Sequence, residues 1–376
     1  MTSSTTGLLY GSGQLAKVAG QHAVRADRDR LLHRDVITTV SEAGFPRHFV
    51  PRRWGGVAGT FSDFLSAVTT VAQECASTAW VASLAAGVPR MAAYLPEDGQ
   101  AELWQDGPDT FIVSGLMPSG RAVPVAGGWM LSGRWSFVSA VDFSDWALLC
   151  AHTEGTDPTP AALRYFAVPR RTYTIEQTWN STGMRGTGSN TVIVENVYVP
   201  SARVCARDEV MYGRDDLESC CHRVPHVAIN GLGFAAPVLG AARSMLSAWS
   251  AWAAERNSRT ADGDPQHADN ARRNEILAQA AVEIDTADLL LRRLAQFADD
   301  DVADTYLART GRDAGFAAQL ISTAAQRLWQ SMGTSAQSAG STQERAWRDI
   351  NIGVTHLALR FDIAATVFAR HELSQR

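Results

Sequence analysis

Three groups of side chains in this sequence have the types and spacing to do chemistry. In "TWNSTGMRGTGSNTVIVENVYVP" (178–200), Arg185, Thr187 and Ser189 stand among closely spaced glycines, directly ahead of a run rich in Val and Ile. Hydroxyls, amides and a guanidinium at such a bend either serve the bend itself or hold something polar, and glycine lets backbone come close to it. Upstream, "RWSFVS" sets Trp135 and Phe137 beside Ser136 and Ser139. Taken alone, those two aromatics read as ordinary core packing. The third group centres on His356, which follows "WRDINIGVT". An imidazole with an ordinary pKa of about 6.5 can take a proton from a phenol-like hydroxyl or steady a developing charge at neutral pH. The five cysteines show no metal-ligand spacing beyond the cluster "CCHRVPH" (220–226), so they read as buried thiols and no metal site is expected.

The elements that must carry these residues follow from texture. Up to about residue 107, apolar residues recur at three- and four-residue spacing, as in "FSDFLSAVTTVAQECASTAWVASLAAG", which reads as an N-terminal helical domain. From 108 to 212 the texture changes to short β-branched and aromatic runs broken by Gly, Pro and Asn, which reads as a central antiparallel β-barrel domain. From 213 to 376 it is helical again, with Ile276, Ala280, Ile284, Ala287, Leu291 and Leu294 on one face, as in a helix bundle. The polar stretch 257–274 reads as a loop between two of these helices. An α, then β, then α order is an α+β fold and argues against a doubly wound nucleotide-binding sheet. "YGSGQLAKVAG" (10–20) has no strand ahead of it and reads as an N-terminal cap rather than a dinucleotide site.

Composition excludes several classes. The chain has 376 residues, 45% hydrophobic and 19% charged, with a net charge of -5 and no basic run, so no nucleic acid or anionic membrane is expected as a partner. No apolar run is long enough to span a bilayer and no leader pattern opens the chain, so a cytoplasmic location is expected.

The lines "MPSGRAVPVAGGWMLSGRWSFVSAVDFSDWALL" and "WNSTGMRGTGSNTVIVENVYVP" resemble the acyl-CoA dehydrogenase superfamily. They are most similar to its reduced-flavin monooxygenase branch, which includes 4-hydroxyphenylacetate hydroxylase oxygenase components, dibenzothiophene monooxygenases and aminosugar nitrososynthases. "EAGFPRHFVPRRWGG" (42–56), "CASTAWVASLAAGV" (75–88) and "TQERAWRDINIGVTH" (342–356) agree with that branch in order and spacing. The resemblance implies an N-terminal helical domain, a β-domain and a C-terminal four-helix bundle that assembles as a homotetramer.

The resemblance also implies a flavin against the two β-domain motifs. Trp135 would face the isoalloxazine ring with Phe137 packing nearby, Ser136 and Ser139 would be hydroxyl partners, and Arg185, Thr187 and Ser189 would surround the polar edge. Arg256 and the segment 332–338 resemble parts that reach the flavin phosphate. Ala140 stands where the branch usually has Gly.

Dehydrogenases of the superfamily carry a catalytic carboxylate after an Arg-Asp pair. Here no Glu follows Arg348 and Asp349, and His356 occupies the neighbourhood. Helical spacing places His356 two turns beyond Asp349 on one helix. The resemblance implies reduced FMN or FAD from a separate NAD(P)H:flavin reductase, O2 as co-substrate and a C4a-hydroperoxyflavin, with His356 and Ser139 in catalytic roles. Pro89 replaces a histidine that phenol hydroxylases of the branch use on the phenol oxygen, so an apolar pocket wall of Trp80, Val88 and Met91 is expected. That suits a larger aromatic or polyketide-like substrate of secondary metabolism. Oxygenation at nitrogen or sulfur, or acyl-CoA dehydrogenation, are the alternative readings.

Overall fold

A computed structural model describes residues 5–155, 161–258, 267–302, 306–334, 337–338, 340–374. The first part is helical: α1 (Thr5–Asp29), α2 (Arg34–Glu42), α3 (Phe61–Ala72), α4 (Ala76–Ala92) and α5 (Glu97–Leu103). Thr60 caps α3 by accepting from Asp63 N at 3.1 Å. Helix α4 is buried along almost its whole length. Its Ala, Ser, Thr and Gly residues make it thin enough to lie between α3, the long helix α8 (His226–Ser258) and the sheet, so it is the structural spine next to the candidate site.

Seven strands follow: β1 (Ile112–Val125), β2 (Gly128–Val138), β3 (Trp146–Thr153), β4 (Leu163–Pro169), β5 (Thr174–Glu176), β6 (Asn190–Pro200) and β7 (Val204–Ala206). They form one sheet in the order β5-β6-β2-β1-β3-β4-β7, whose edges are β5 and β7. The expected antiparallel β-domain is present, with two details that the sequence did not show. The sheet is open, and β1 pairs with β3 in parallel while the other pairs are antiparallel. The physical reason is the connection after β2, which turns through a short 3-10 segment at Val141–Phe143 and returns the chain to the far side of β1.

Beyond the short α6 (Arg207–Tyr212) and α7 (Cys220–Arg223), the long helices α8 (His226–Ser258), α9 (His267–Asp299), α10 (Leu307–Ser331) and α11 (Thr342–Gly353) pack together, and α12 (Phe361–Ser374) follows. The apolar stripe of α9 faces inward as its period requires: Ala280, Ile284, Ala287, Leu291 and Leu294 are buried and Ile276 is half-buried. The expected loop at 257–274 is shorter than the sequence suggests, because α8 runs to Ser258 and α9 starts at His267; residues 259–266 lie outside the described residues. No helix among the described residues is long and apolar enough to cross a membrane.

Candidate active site

Strands β2 and β6 position the first motif. Trp135 pairs with Val192 and Val138 with Asn190, so β2 has one more residue than β6 over this span. The extra residue is a β-bulge, and Phe137 takes the left-handed conformation at φ 63°. In a regular strand, residues 135 and 137 would share a face; the bulge separates them. Trp135 is sealed inside the sheet at 1% exposure, its ring lying over Gly115, Gly120 and Gly133, and its Nε1 donates to Cys150 O at 2.7 Å. Phe137 is 76% exposed and meets Trp179 edge-on with centroids 6.3 Å apart. Where the sequence puts Trp135 against a ligand ring, the structure presents Phe137 outward instead. Ser136 is also exposed, 3.4 Å from the Thr191 hydroxyl.

Immediately after the bulge, a chain of buried hydroxyls links the two motifs. Ser139 Oγ lies 2.8 Å from Ser189 Oγ, which lies 2.7 Å from Thr187 Oγ1, and Thr187 Oγ1 donates to Met184 O at 2.9 Å. Left-handed backbone at Ala140, Met184 and Gly188 makes the two turns that bring these residues together, and Ala140 N donates to Thr187 O at 2.8 Å. Each hydroxyl has one proton, and the Met184 carbonyl can only accept. For all three contacts to be hydrogen bonds, Thr187 must donate to Met184, Ser189 to Thr187, and Ser139 to Ser189. Ser139 Oγ therefore ends the chain with only lone pairs left to offer.

The bend that contains this chain is also tied to the protein. Arg185 does not join the hydroxyls: its Nε donates to Asp27 O on α1 at 2.7 Å. The Asp27 carboxylate in turn holds Arg348 at 3.0 Å. A Cβ on Gly183 would come within 2.2 Å of Arg348 O, so that glycine is required by close packing against α11. Met184 N donates to Asp349 Oδ1 at 2.5 Å, and burial pushes the Asp349 carboxyl up to about 7.

His356 is not a continuation of the helix bearing Asp349, as its spacing suggested. Helix α11 ends at Gly353, and His356 opens a separate 3-10 turn at Leu357–Leu359. Its Nδ1 accepts from Ala358 N at 3.2 Å, so the neutral ring carries its proton on Nε2. The ring stacks on Phe234 with centroids 3.6 Å apart and meets the edge of Trp80 at 5.7 Å. Burial pushes its pKa down to about 4, so at neutral pH it is a hydrogen-bond donor and not a cation.

Phe234 also lines a narrow cleft between α3, α4, α8 and β1. Val88 and Met91 lie on its wall, whereas Trp80 stands behind Phe234 at 5.0 Å. Three polar residues on that wall escaped the sequence reading: Arg90, His226 and Asn230. The available signals were one arginine in the otherwise apolar α4, and a His and an Asn four residues apart in the apolar start of α8. A larger groove, edged by Arg53, Glu97, Arg164 and Glu209, contains none of the candidate residues.

The remaining candidates lie elsewhere. Arg256 is on the exposed last turns of α8, its guanidinium 4.8 Å from the centre of the Trp252 ring. Ser335 and Ala336, part of the segment expected near a flavin phosphate, lie outside the described residues. In "CCHRVPH", Cys220 Sγ donates to Ala298 O at 3.3 Å and the His222 ring bonds Phe49 O at 2.7 Å.

Comparison with known proteins places this geometry in context. Residues 232–361 match the family described as acyl-CoA dehydrogenase, C-terminal domain. The chain is 30% identical over 346 residues to the FADH(2)-dependent resorcinol hydroxylase, oxygenase component, of Rhizobium sp. (strain MTP-10005), covering 86% of this chain and 83% of that protein. Among solved structures it superposes on 3-HSA hydroxylase from Rhodococcus sp. RHA1 with a TM-score of 0.91 and 28% identity, over 98% of this chain and 97% of that one. It shares its fold with XiaF from Streptomyces sp. in complex with FADH2 and glycerol, with a TM-score of 0.88 and 24% identity over 97% of this chain and 94% of that one.

Proposed function

The chain belongs to the oxygenase components of the flavin-dependent monooxygenases with the acyl-CoA dehydrogenase fold, and on that premise we propose that it hydroxylates an aromatic or polyketide-like small molecule with O2 and reduced FMN or FAD. The reduced flavin comes from a separate NAD(P)H:flavin reductase, and the enzyme works as a homotetramer in secondary metabolism. The observation that carries this reading is the hydroxyl chain ending at Ser139.

The residues fit a reduced isoalloxazine. Such a ring has an N–H at N5 where the oxidised ring has a bare nitrogen, and Ser139 Oγ is left as an acceptor by the proton order of its chain. Phe137 offers an exposed ring face beside it, suited to stacking on a flat heteroaromatic. When bound, the reduced flavin supplies the electrons that activate O2. The protein's own residues then do three things. Ser139, Ser189 and Thr187 fix the ring edge through a chain already ordered before binding. His356 offers a neutral Nε2–H as donor to the oxygen being transferred, at a pH where it does not release that proton. Phe234, Val88 and Met91 keep water from the cleft in which the aromatic substrate lies, and Phe234 joins that cleft to His356.

Trp135 serves this site from beneath, as the filler that holds β2 against β1. Arg185 fastens the bend to α1, and Arg256 is the candidate for a flavin phosphate across a subunit contact. Oxygenation of nitrogen or sulfur would use the same groups, but no observation favours it over an aromatic carbon. The test is to supply chemically reduced FMN or FAD and ¹⁸O2 with a panel of two- and three-ring phenols. Incorporation of one ¹⁸O into a hydroxylated product is expected. Flavin oxidation that yields only hydrogen peroxide with every phenol would refute the reading.

A further inference from the structure

The end of the cleft remote from His356 holds an arrangement that a purely apolar pocket has no use for. Arg90 is 1% exposed; its Nε donates to Cys221 O at 2.5 Å and its Nη2 to Val224 O, while Nη1 has no partner. No carboxylate pairs with it among the described residues. A guanidinium stays charged in a protein, and a buried charge without a counter-ion is costly. His226 is 8% exposed, and beyond the Asn230 side chain beside it neither of its ring nitrogens has a hydrogen-bond partner. Burial, helped by the Arg90 charge, pushes its pKa down to about 3, so the ring stays neutral with one donor and one acceptor. Asn230, one turn further along α8, lies beside it. All three side chains line the cleft.

We infer that this end of the cleft anchors an anionic oxygen of the substrate, a carboxylate or a phenolate, held by Arg90 with His226 and Asn230. The inference deepens the monooxygenase reading and rests on it for the location of the reacting carbon. The anion completes what the protein leaves open: it gives Nη1 an acceptor, the buried cation a counter-charge and the imidazole a partner.

The two helices also set the substrate's length. On α8, His226 precedes Phe234, which stacks on His356, by eight residues, or about 12 Å at 1.5 Å per residue. On α4, Arg90 follows Trp80, which touches the same imidazole, by ten residues, or about 15 Å. Phe49, Phe61 and Phe64 line the space. These separations along the helices suit a flat molecule with its anionic oxygen opposite the reacting carbon, and a two-ring probe spans more of them than a single phenol ring does.

The experiment measures binding to the full-length, flavin-free protein, so it can fail or succeed independently of hydroxylation. The probes are 2-naphthoate, 2-naphthol and 2-methylnaphthalene, which share a ring system and differ in one group. At least ten-fold tighter binding of 2-naphthoate than of 2-methylnaphthalene is expected for a carboxylate anchor. For a phenolate anchor, 2-naphthol is expected to bind at least ten-fold tighter and in its deprotonated form, read from its fluorescence. Arg90→Met should abolish the preference and leave 2-methylnaphthalene binding unchanged. Because Arg90 also holds two backbone carbonyls, His226→Phe and Asn230→Leu, which disturb neither carbonyl, give the same test if Arg90→Met fails to fold. Equal affinities for all three probes, or a parallel loss of all three in the variants, would overturn the inference.

Discussion

The proton order of the Ser139–Ser189–Thr187 chain makes a prediction about redox preference. Ser189 is the middle link, so Ser189→Ala removes the acceptor that commits the Ser139 proton inward. Ser139 is then free to donate outward, toward the bare N5 of an oxidised flavin, as readily as it accepts from the N–H of a reduced one. A neutral hydrogen bond contributes about 1 kcal/mol net, or about five-fold in affinity. Ser139→Ala should therefore weaken reduced-flavin binding about five-fold and leave oxidised-flavin binding unchanged. Ser189→Ala should keep that contact and gain the opposite one, raising oxidised-flavin affinity about five-fold and shrinking the ratio of reduced to oxidised affinity by the same factor. The fold should survive, since Thr187 keeps its bond to Met184 O and Ala140 N keeps its bond to Thr187 O. The assay is anaerobic equilibrium titration of each variant with both redox states of FMN and FAD. An unchanged ratio in both variants would refute the assigned proton order and remove Ser139 from the flavin edge.

Replacing His356 by Ala should divert oxygen to hydrogen peroxide and lower product formation by about 10²- to 10³-fold, the usual effect of losing one positioned donor; His356→Gln, which keeps an N–H near Nε2, should recover part of it, and a profile inflecting between pH 6 and 7 would show a titrating base instead. Ala140 occupies left-handed backbone at φ 57°, which costs a non-glycine residue about 1–2 kcal/mol, so Ala140→Gly should leave stability unchanged or raise it by up to about 1 kcal/mol after the added entropy of the unfolded chain; a clear loss by chemical denaturation would contradict the strain. Stability should also fall with acid, because burial holds His222 at about 4, His226 at about 3 and His356 at about 4, and groups depressed in the fold lose their contribution as pH drops from about 6.5 toward those values. Asp349, raised to about 7, acts in the opposite sense and destabilises the fold as pH rises toward 7, so near pH 5.5 the unfolded chain binds about 1.7 more protons than the fold from these four groups and stability should fall by about 2.3 kcal/mol per unit drop in pH. Asp349→Asn should steepen that slope and raise stability at pH 8, as read from denaturation midpoints between pH 5 and 8; a slope unchanged by the substitution would show that Asp349 is ionised in the fold.

Much of the architecture was legible in the sequence because its signals are local. The α, β, α order came from a change of period along the chain, and the apolar stripe from Ile276 to Leu294 is a property of one helix. The pairing of "RWSFVS" with "MRGTGS" marked the two β-domain segments that the structure brings together at the Ser139–Ser189 contact, and Pro89, standing where the branch has a histidine, directed attention to Val88 and Met91, which line the cleft. The finer placements depended on contacts between segments distant in sequence. Strict alternation puts Trp135 and Phe137 on one face; the register of β2 against β6 forces a bulge and sends one in and the other out. Arg185 reads as a free cation at a bend until Asp27, far upstream, accepts its Nε–H through the backbone and faces it with a carboxylate. Helix-like spacing set His356 on one helix with Asp349, but Gly353 ends that helix and the Ala358 amide fixes the ring's tautomer. Arg90 and His226 look like incidental polar residues in two separate apolar helices, and only the packing of α4 against α8 buries both on one cleft, with no carboxylate beside Arg90 among the described residues. Periodicity records which side of its own element a residue occupies; which charges are left unpaired is decided where elements meet.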